Sequence, residues 1–174
     1  LNSSVAESYN QSPLDAALEI LWFNGVVVVV SAGNNGNNSS STRGVLLPPA
    51  NDPFLISVGA ADDRGTTALT DDKLANFSAY GTTAGQVKPD LVAPGYNRVS
   101  LLSSEDSNLA TGHPLNKVAG WAGNTYFKMS GTSMAAPVVA GAAALLLQAE
   151  ASLTPDQVKY RLIATANKHW GGYN

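Results

Sequence analysis

The sequence predicts an α/β domain built on a mainly parallel β-sheet flanked by helices on both faces, and three stretches carry that prediction. An amphipathic stretch over residues 12–24 runs directly into five consecutive valines at 26–30. A second apolar run follows at 54–60, and an Ala- and Leu-rich run at 138–147 suits a buried helix. Strands of a parallel sheet are covered on both sides and so read as unbroken apolar runs, and a helix feeding such a strand is half of a crossover unit. The chain of 174 residues is the size of one domain, and 44% apolar against 13% charged residues marks it as globular. A net charge of -3 without a Lys/Arg cluster argues against nucleic acid as a partner. No run of about twenty apolar residues is present to cross a membrane. The absence of cysteine excludes disulfides and thiolate metal sites.

In chain order, Leu14, Ala17, Leu18, Leu21 and Trp22 recur at the spacing of a core-facing helical stripe. Ser12 and Pro13 supply its cap and first turn, and Asn24-Gly25 its stop. Residues 31–38, Asn- and Gly-rich, follow the valine strand at its carboxyl end, where open α/β sheets place ligands. Residues 39–52 read as a polar loop. Asp62-Asp63 and Asp71-Asp72 read as solvated turns: they carry oxygen donors of the kind calcium takes, without the spacing of a calcium loop, so no structural calcium is assigned and no cofactor is required. Leu91-Val92-Ala93 reads as a short strand bracketed by prolines. Residues 96–129 read as an extended surface loop whose last part, Tyr126-Phe127-Lys128-Met129, is a brief strand. Near the end, Thr154, Pro155 and Gln157 form the start signal of a helix with Val158, Leu162 and Ile163 facing inward.

The chemistry concentrates in Ser130-Gly131-Thr132-Ser133-Met134-Ala135-Ala136-Pro137, just ahead of the apolar helix. Ser133 is thereby placed near a helix N-terminus, with Pro137 in the first turn. Unpaired N–H groups and the positive end of the helix dipole there favour negative charge developing on a bound carbonyl oxygen. A Gly-Thr-Ser before a helix also serves simply as a cap. The longer string, continuing through Val138-Val139-Ala140-Gly141, resembles the nucleophile segment of the subtilisin-like serine peptidases. Val28-Val29-Val30-Ser31-Ala32-Gly33-Asn34-Asn35-Gly36 resembles the oxyanion segment of that family, and Lys88-Pro89-Asp90-Leu91-Val92-Ala93-Pro94-Gly95 resembles a third segment.

The resemblance implies a serine endopeptidase of subtilisin-like fold that hydrolyses peptide bonds through an acyl-enzyme on Ser133. Asn34 then donates its side-chain amide to the oxyanion, a role suited to an uncharged N–H donor. The resemblance also implies that Ser31, Ala32, Gly33, Gly131 and Thr132 contact substrate, with Thr132 helping at the oxyanion. The family's Asp and His segments are not found in this sequence. His113 and His169 lie in contexts that do not mark either as the base, and a serine without a base is a weak nucleophile. The opening Leu1-Asn2-Ser3-Ser4 carries no initiator Met, so residues 1–174 are expected to be the C-terminal part of the peptidase domain, incomplete on its N-terminal side and inactive alone. Its expected partners are a protein or peptide substrate and the N-terminal part of the same domain, with self-association of the isolated segment through the uncovered sheet edge. The resemblance implies secretion more than an intracellular location. A non-enzymatic peptide-binding or assembly domain is the alternative reading.

Overall fold

The computed structural model describes residues 6–36, 46–120 and 125–168. Helix α1 (Pro13–Phe23) begins where Ser12 Oγ accepts the Asp15 N–H at 3.3 Å, with Pro13 in the first turn. It closes in a Schellman motif: Val26 N–H donates to Leu21 O and Gly25 N–H to Trp22 O, both at 3.0 Å, and Gly25 takes the left-handed φ of 89° that the motif requires. Two features therefore differ from the sequence expectation. Leu18 and Trp22 of the expected stripe face inward, but Asp15 is buried beside them while Leu14, Ala17 and Leu21 are exposed. The valine run yields only the short strand β1 (Val29–Ser31), because its first residue is spent on the helix cap.

The second strand, β2 (Ile56–Asp62), starts two residues later than the apolar run suggests. Asp52 explains the delay: its Oδ1 accepts the Phe54 and Leu55 N–H groups at 2.7 and 3.2 Å and holds both residues in a turn. β2 pairs in parallel with β1 (Val30↔Ser57) and with β6 (Leu91–Pro94; Gly59↔Val92), while β3 (Lys73–Leu74) adds an antiparallel end. Every residue of β2 up to Ala61 is buried, so both faces are covered as a parallel sheet requires. β4 (Gly81–Thr83) and β5 (Gln86–Lys88) form a hairpin.

The expected brief strand at 126–129 is present, but the stretch before it, expected to be an extended loop, supplies two further strands and a helix, making a small antiparallel sheet. β7 (Arg98–Leu101) and β8 (Lys117–Ala119) pair on either side of β9 (Thr125–Met129), with helix α2 (Asn108–Gly112) between β7 and β8. Its edge strands are only four and three residues long, too short for a periodicity to announce them. Arg98 anchors it to the main sheet through a bidentate ion pair with Asp63 at 2.9 and 2.8 Å.

Helix α3 (Thr132–Ala149) begins at Thr132, so Pro137 lies in the second turn rather than the first, and its missing N–H leaves Ser133 O without a helical partner. Its 18 residues, of mean hydropathy 1.5, are long and apolar enough to cross a bilayer, against the sequence expectation that no such stretch exists. In the fold, Ala135, Val139 and Ala143 of this helix are buried, and it packs on β1, β2 and β6. Helix α4 (Pro155–Thr165) carries both halves of the capping box, Thr154 N–H to Gln157 Oε1 at 2.9 Å and Gln157 N–H to Thr154 Oγ1 at 3.3 Å. Trp22, buried in the core, donates Nε1–H to Asp156 Oδ1 at 3.0 Å and so ties α1 to α4.

A buried ionic cluster joins the loop before β2 to β5, β6 and α4. Lys88 Nζ donates to Leu55 O and Asp90 Oδ2 at 2.9 and 2.7 Å, and Lys159 Nζ donates to the carbonyls of Pro53, Phe54 and Leu55 while pairing with Asp90 Oδ1 at 3.1 Å. Burial lowers the Lys88 ammonium to about 8, and Asp90 opposes that shift. Removing one partner would strand a charge in the interior.

Candidate active site

The site forms where the loop after β1 meets the first turn of α3. Gly131 caps the helix without a side chain, and the N–H of the first helical residue, Thr132, is instead satisfied from a distant part of the chain. Asn34 Oδ1 accepts Thr132 N–H at 2.9 Å and the Thr132 hydroxyl at 3.0 Å, across 98 residues of sequence. The same hydroxyl oxygen accepts Gly33 N–H at 3.0 Å. With Oδ1 committed twice, the Asn34 amide nitrogen is the free end of the side chain. Gly131 flanks it so closely that an added Cβ would stand 3.3 Å from Asn34 Nδ2.

Asn34 and Ser133 are both exposed, and the Thr132 bonds set Asn34 next to the residue that precedes Ser133. Ser133 occupies the second helical position, where a backbone N–H has no intrahelical acceptor. The result is a hydroxyl, an unpaired helix N–H and an uncharged amide donor at one helix start. Such a set can hold a carbonyl oxygen as it gains charge.

Ser133 also lines a cleft of about 300 Å³ whose walls are Leu14 and Leu18 of α1, Val28 and Val30, Pro49 and Ala136. A larger hollow of about 600 Å³ lies between β6 and the end of α4 and contains neither Ser133 nor Asn34. Of the residues expected to contact substrate, Ser31 lines the cleft. Ala32 gives its N–H to Val58 O at 2.9 Å, Gly33 accepts Ala79 N–H at 2.9 Å, and Gly131 gives its N–H to Gly95 O at 2.9 Å, so these backbones are already engaged internally. Thr132 is fully buried, and its hydroxyl is spent on Gly33 and Asn34, which places it behind the site rather than in it. Sequence reading alone did not reveal that link.

Among the described residues no imidazole is hydrogen-bonded to Ser133. His113 is exposed between α2 and β8, and His169 lies outside the described residues. The acidic pairs are turn carboxylates: Asp63 holds Arg98 and accepts Gly65 N–H, Asp62 accepts Arg64 N–H, and Asp71 accepts the Thr66 hydroxyl. Among the described residues no three His, Cys, Asp or Glu side chains converge at metal-ligand spacing.

A parallel three-stranded core, with an asparagine carboxamide capping the start of its central helix at Thr132, one residue before an exposed serine, is an arrangement of the α/β class to which the subtilisin fold belongs. The chain is a member of the subtilase family (Peptidase S8), whose profile it matches over residues 1–174. It is 42% identical over 161 residues to the serine protease AprX of Bacillus subtilis (strain 168), a match covering 92% of this chain and 34% of AprX. Among solved structures it is similar to fervidolysin from Fervidobacterium pennivorans, a keratinolytic enzyme related to subtilisin, at 37% identity and TM-score 0.68 over 90% of this chain and 21% of that one. A cold-adapted subtilisin-like serine proteinase matches at 30% identity and TM-score 0.58, over 90% of this chain and 44% of its own. The chain therefore spans about a third of AprX, and less than half of each of these two solved structures.

Proposed function

We propose that this chain is the C-terminal part of a subtilisin-like peptidase domain, and that in the complete polypeptide Ser133 attacks the peptide carbonyl to form an acyl-enzyme. The observation that carries this reading is the fixed Asn34 carboxamide, held by Thr132 with its amide nitrogen free beside the helix start that bears Ser133. The tetrahedral oxyanion is held by Asn34 Nδ2–H and Ser133 N–H, both in place before reaction, so little reorganisation opposes charge development. The substrate is a protein or peptide, and its side chain enters the cleft bordered by Ser31 and Pro49. The proton-transferring base is supplied from outside residues 1–174, which leaves the isolated chain inactive. The chemistry requires no cofactor.

The first partner is then the rest of the same domain. β1 is paired only to β2 among the described residues, and its other edge is the place for a further strand. In the isolated segment that edge favours self-association. Export is the favoured location, supported by relatives such as the minor extracellular protease Vpr of Bacillus subtilis (strain 168), 34% identical over 122 residues.

An organophosphonate reagent tests the reading. In the complete polypeptide it should label Ser133 stoichiometrically, with Ser133→Ala abolishing both labelling and peptide hydrolysis while the protein stays folded. Labelling of another serine, or hydrolysis retained by the variant, would contradict the assignment. A folded full-length protein that binds peptide without labelling would favour the non-enzymatic alternative.

A further inference from the structure

Asn34 lies just past the point where the chain leaves the sheet, and the residues that fill the vacated place bear on the site. Along β2, alternate residues bond to the strands on either side. Ile56 N–H donates to Val28 O at 3.1 Å and Val58 O accepts Ala32 N–H at 2.9 Å, so residues 56, 58 and 60 face β1. Ser57 O and Ala61 O instead accept the N–H groups of Asp90 and Gly95, on the side of β6. Level with Ala60 the chain has already turned away: Gly33 takes a left-handed φ of 107°, and Asn34 is drawn to Thr132. Without substitutes, the N–H and carbonyl of the fully buried Ala60 would be left unpaired.

Residues 75–79 take up both groups. Ala75 N–H donates to Ala60 O at 2.9 Å, and the Ser78 hydroxyl oxygen accepts Ala60 N–H at 3.0 Å. Ser78 and Ala79 are both buried, so this turn is fastened to β2 away from water. From that anchor the same turn grips the Asn34 loop by both arms. Ala79 N–H donates to Gly33 O, and Gly36 N–H donates to Phe77 O, each at 2.9 Å. The approach is close enough that a Cβ on Gly36 would lie 2.0 Å from Ser78 O. Asn34 is thus bracketed by two bonds to one turn, and the Ser78 hydroxyl fastens the middle of that turn to the sheet.

We propose that Ser78 is a positioning residue for the oxyanion site and acts through Asn34. The inference rests on the peptidase reading above, in which Asn34 Nδ2–H holds the developing charge. Thr132 fixes which way the carboxamide faces, from the side of α3, while Ser78 fixes where the loop that carries it stands, from the side of β2. Both matter because such a donor must meet the oxyanion at about 2.7–3.1 Å, and a misplacement of about 1 Å can cost roughly a hundredfold in rate. Ser78→Ala removes the acceptor of a buried N–H on the strand that carries the turn, and the turn shifts with Gly33 and Gly36 attached to it. The substitution touches neither Ser133 nor the residues that line its cleft.

The test is a double-mutant cycle on peptide hydrolysis by the complete polypeptide, run at a temperature where circular dichroism shows every variant folded. Ser78→Ala alone should lower kcat roughly ten- to hundredfold, with KM within about twofold of the parent. Ser78→Thr, which keeps the hydroxyl, should restore most of that loss. Asn34→Ala alone should lower kcat by about 10²–10³, the range known from subtilisin itself. In the Asn34→Ala background, Ser78→Ala should then change kcat by less than about twofold, because the residue through which it acts is gone. An equal fall in both backgrounds, a parent kcat in Ser78→Ala, or a Ser78→Thr enzyme no faster than Ser78→Ala would overturn the proposal and leave the role of Asn34 standing. An Asn34→Ala enzyme with the parent kcat would instead contradict the oxyanion reading, and the positioning role with it.

Discussion

One hydroxyl at Thr132 decides which way the Asn34 amide points. It accepts Gly33 N–H and donates to Asn34 Oδ1, and the Thr132 N–H adds a second donor to the same oxygen. An amide held by two donors at its oxygen presents its nitrogen outward, which is the orientation oxyanion binding needs. Thr132→Val keeps the shape but removes the hydroxyl, leaving Gly33 N–H unpaired at a cost of about 1–3 kcal/mol and the amide held at its oxygen by the residue-132 N–H alone. In the complete polypeptide kcat should fall roughly ten- to hundredfold with KM little changed, and Thr132→Ser should restore it. Loss of the Asn34 amide itself should cost about 10²–10³ in kcat, a range known from subtilisin itself rather than read from this geometry. A Thr132→Val enzyme with the parent kcat would show that Asn34 is held by other means. Sequence reading proposes the serine and the asparagine because each lies in a compact local motif. Their connection was not legible, because it is made by a single threonine that local reading assigns to the substrate.

At the scale of elements, the capping signals were read correctly wherever the partners are close in sequence. Ser12, Asn24-Gly25 and the Thr154/Gln157 box all appear where the residues place them. What failed was the face that α1 buries. Periodicity placed Leu14, Leu18, Leu21 and Trp22 on one inward face; Trp22 does fill the core and reach Asp156, but the helix is rotated so that Asp15 is buried with it while Leu14 and Leu21 are exposed. The rotation has a measurable consequence. Burial raises the Asp15 carboxyl from 3.8 to about 6, the Ser12 hydroxyl opposes this, and Asp52, Glu19 and Glu7 reinforce it. The folded chain then holds this proton more tightly than the unfolded chain, so its contribution is favourable at low pH and is lost as pH rises from about 4 to about 6. The full effect is up to about 3 kcal/mol. Urea unfolding should show the parent losing stability relative to Asp15→Asn across that window, with parallel curves above it. Curves that stay parallel from pH 4 to 7 would contradict the burial of an uncompensated acid.

The molecule as a whole is a short parallel sheet under a long Ala-rich helix, with an antiparallel appendage pinned by Arg98. The parallel core was legible because strands covered on both faces must be apolar throughout, and residues 54–60 and 91–93 announce this plainly. Of the appendage only β9 was legible, since its partner β7 lies far off in sequence and leaves Val99 and Leu101 exposed, so no alternation marks it. The fold's contribution to function is to bring the carboxyl end of β1 and the amino end of α3 to the same spot, which parallel strands with helical crossovers do by construction. Whether that spot is an oxyanion site can be seen by binding a peptide boronic acid to the complete polypeptide and determining the structure of the adduct. The boron should be bonded to Ser133 Oγ, with one of its oxygens within hydrogen-bond distance of both Asn34 Nδ2 and Ser133 N. A tetrahedral adduct whose oxygens all point away from Asn34 would contradict it.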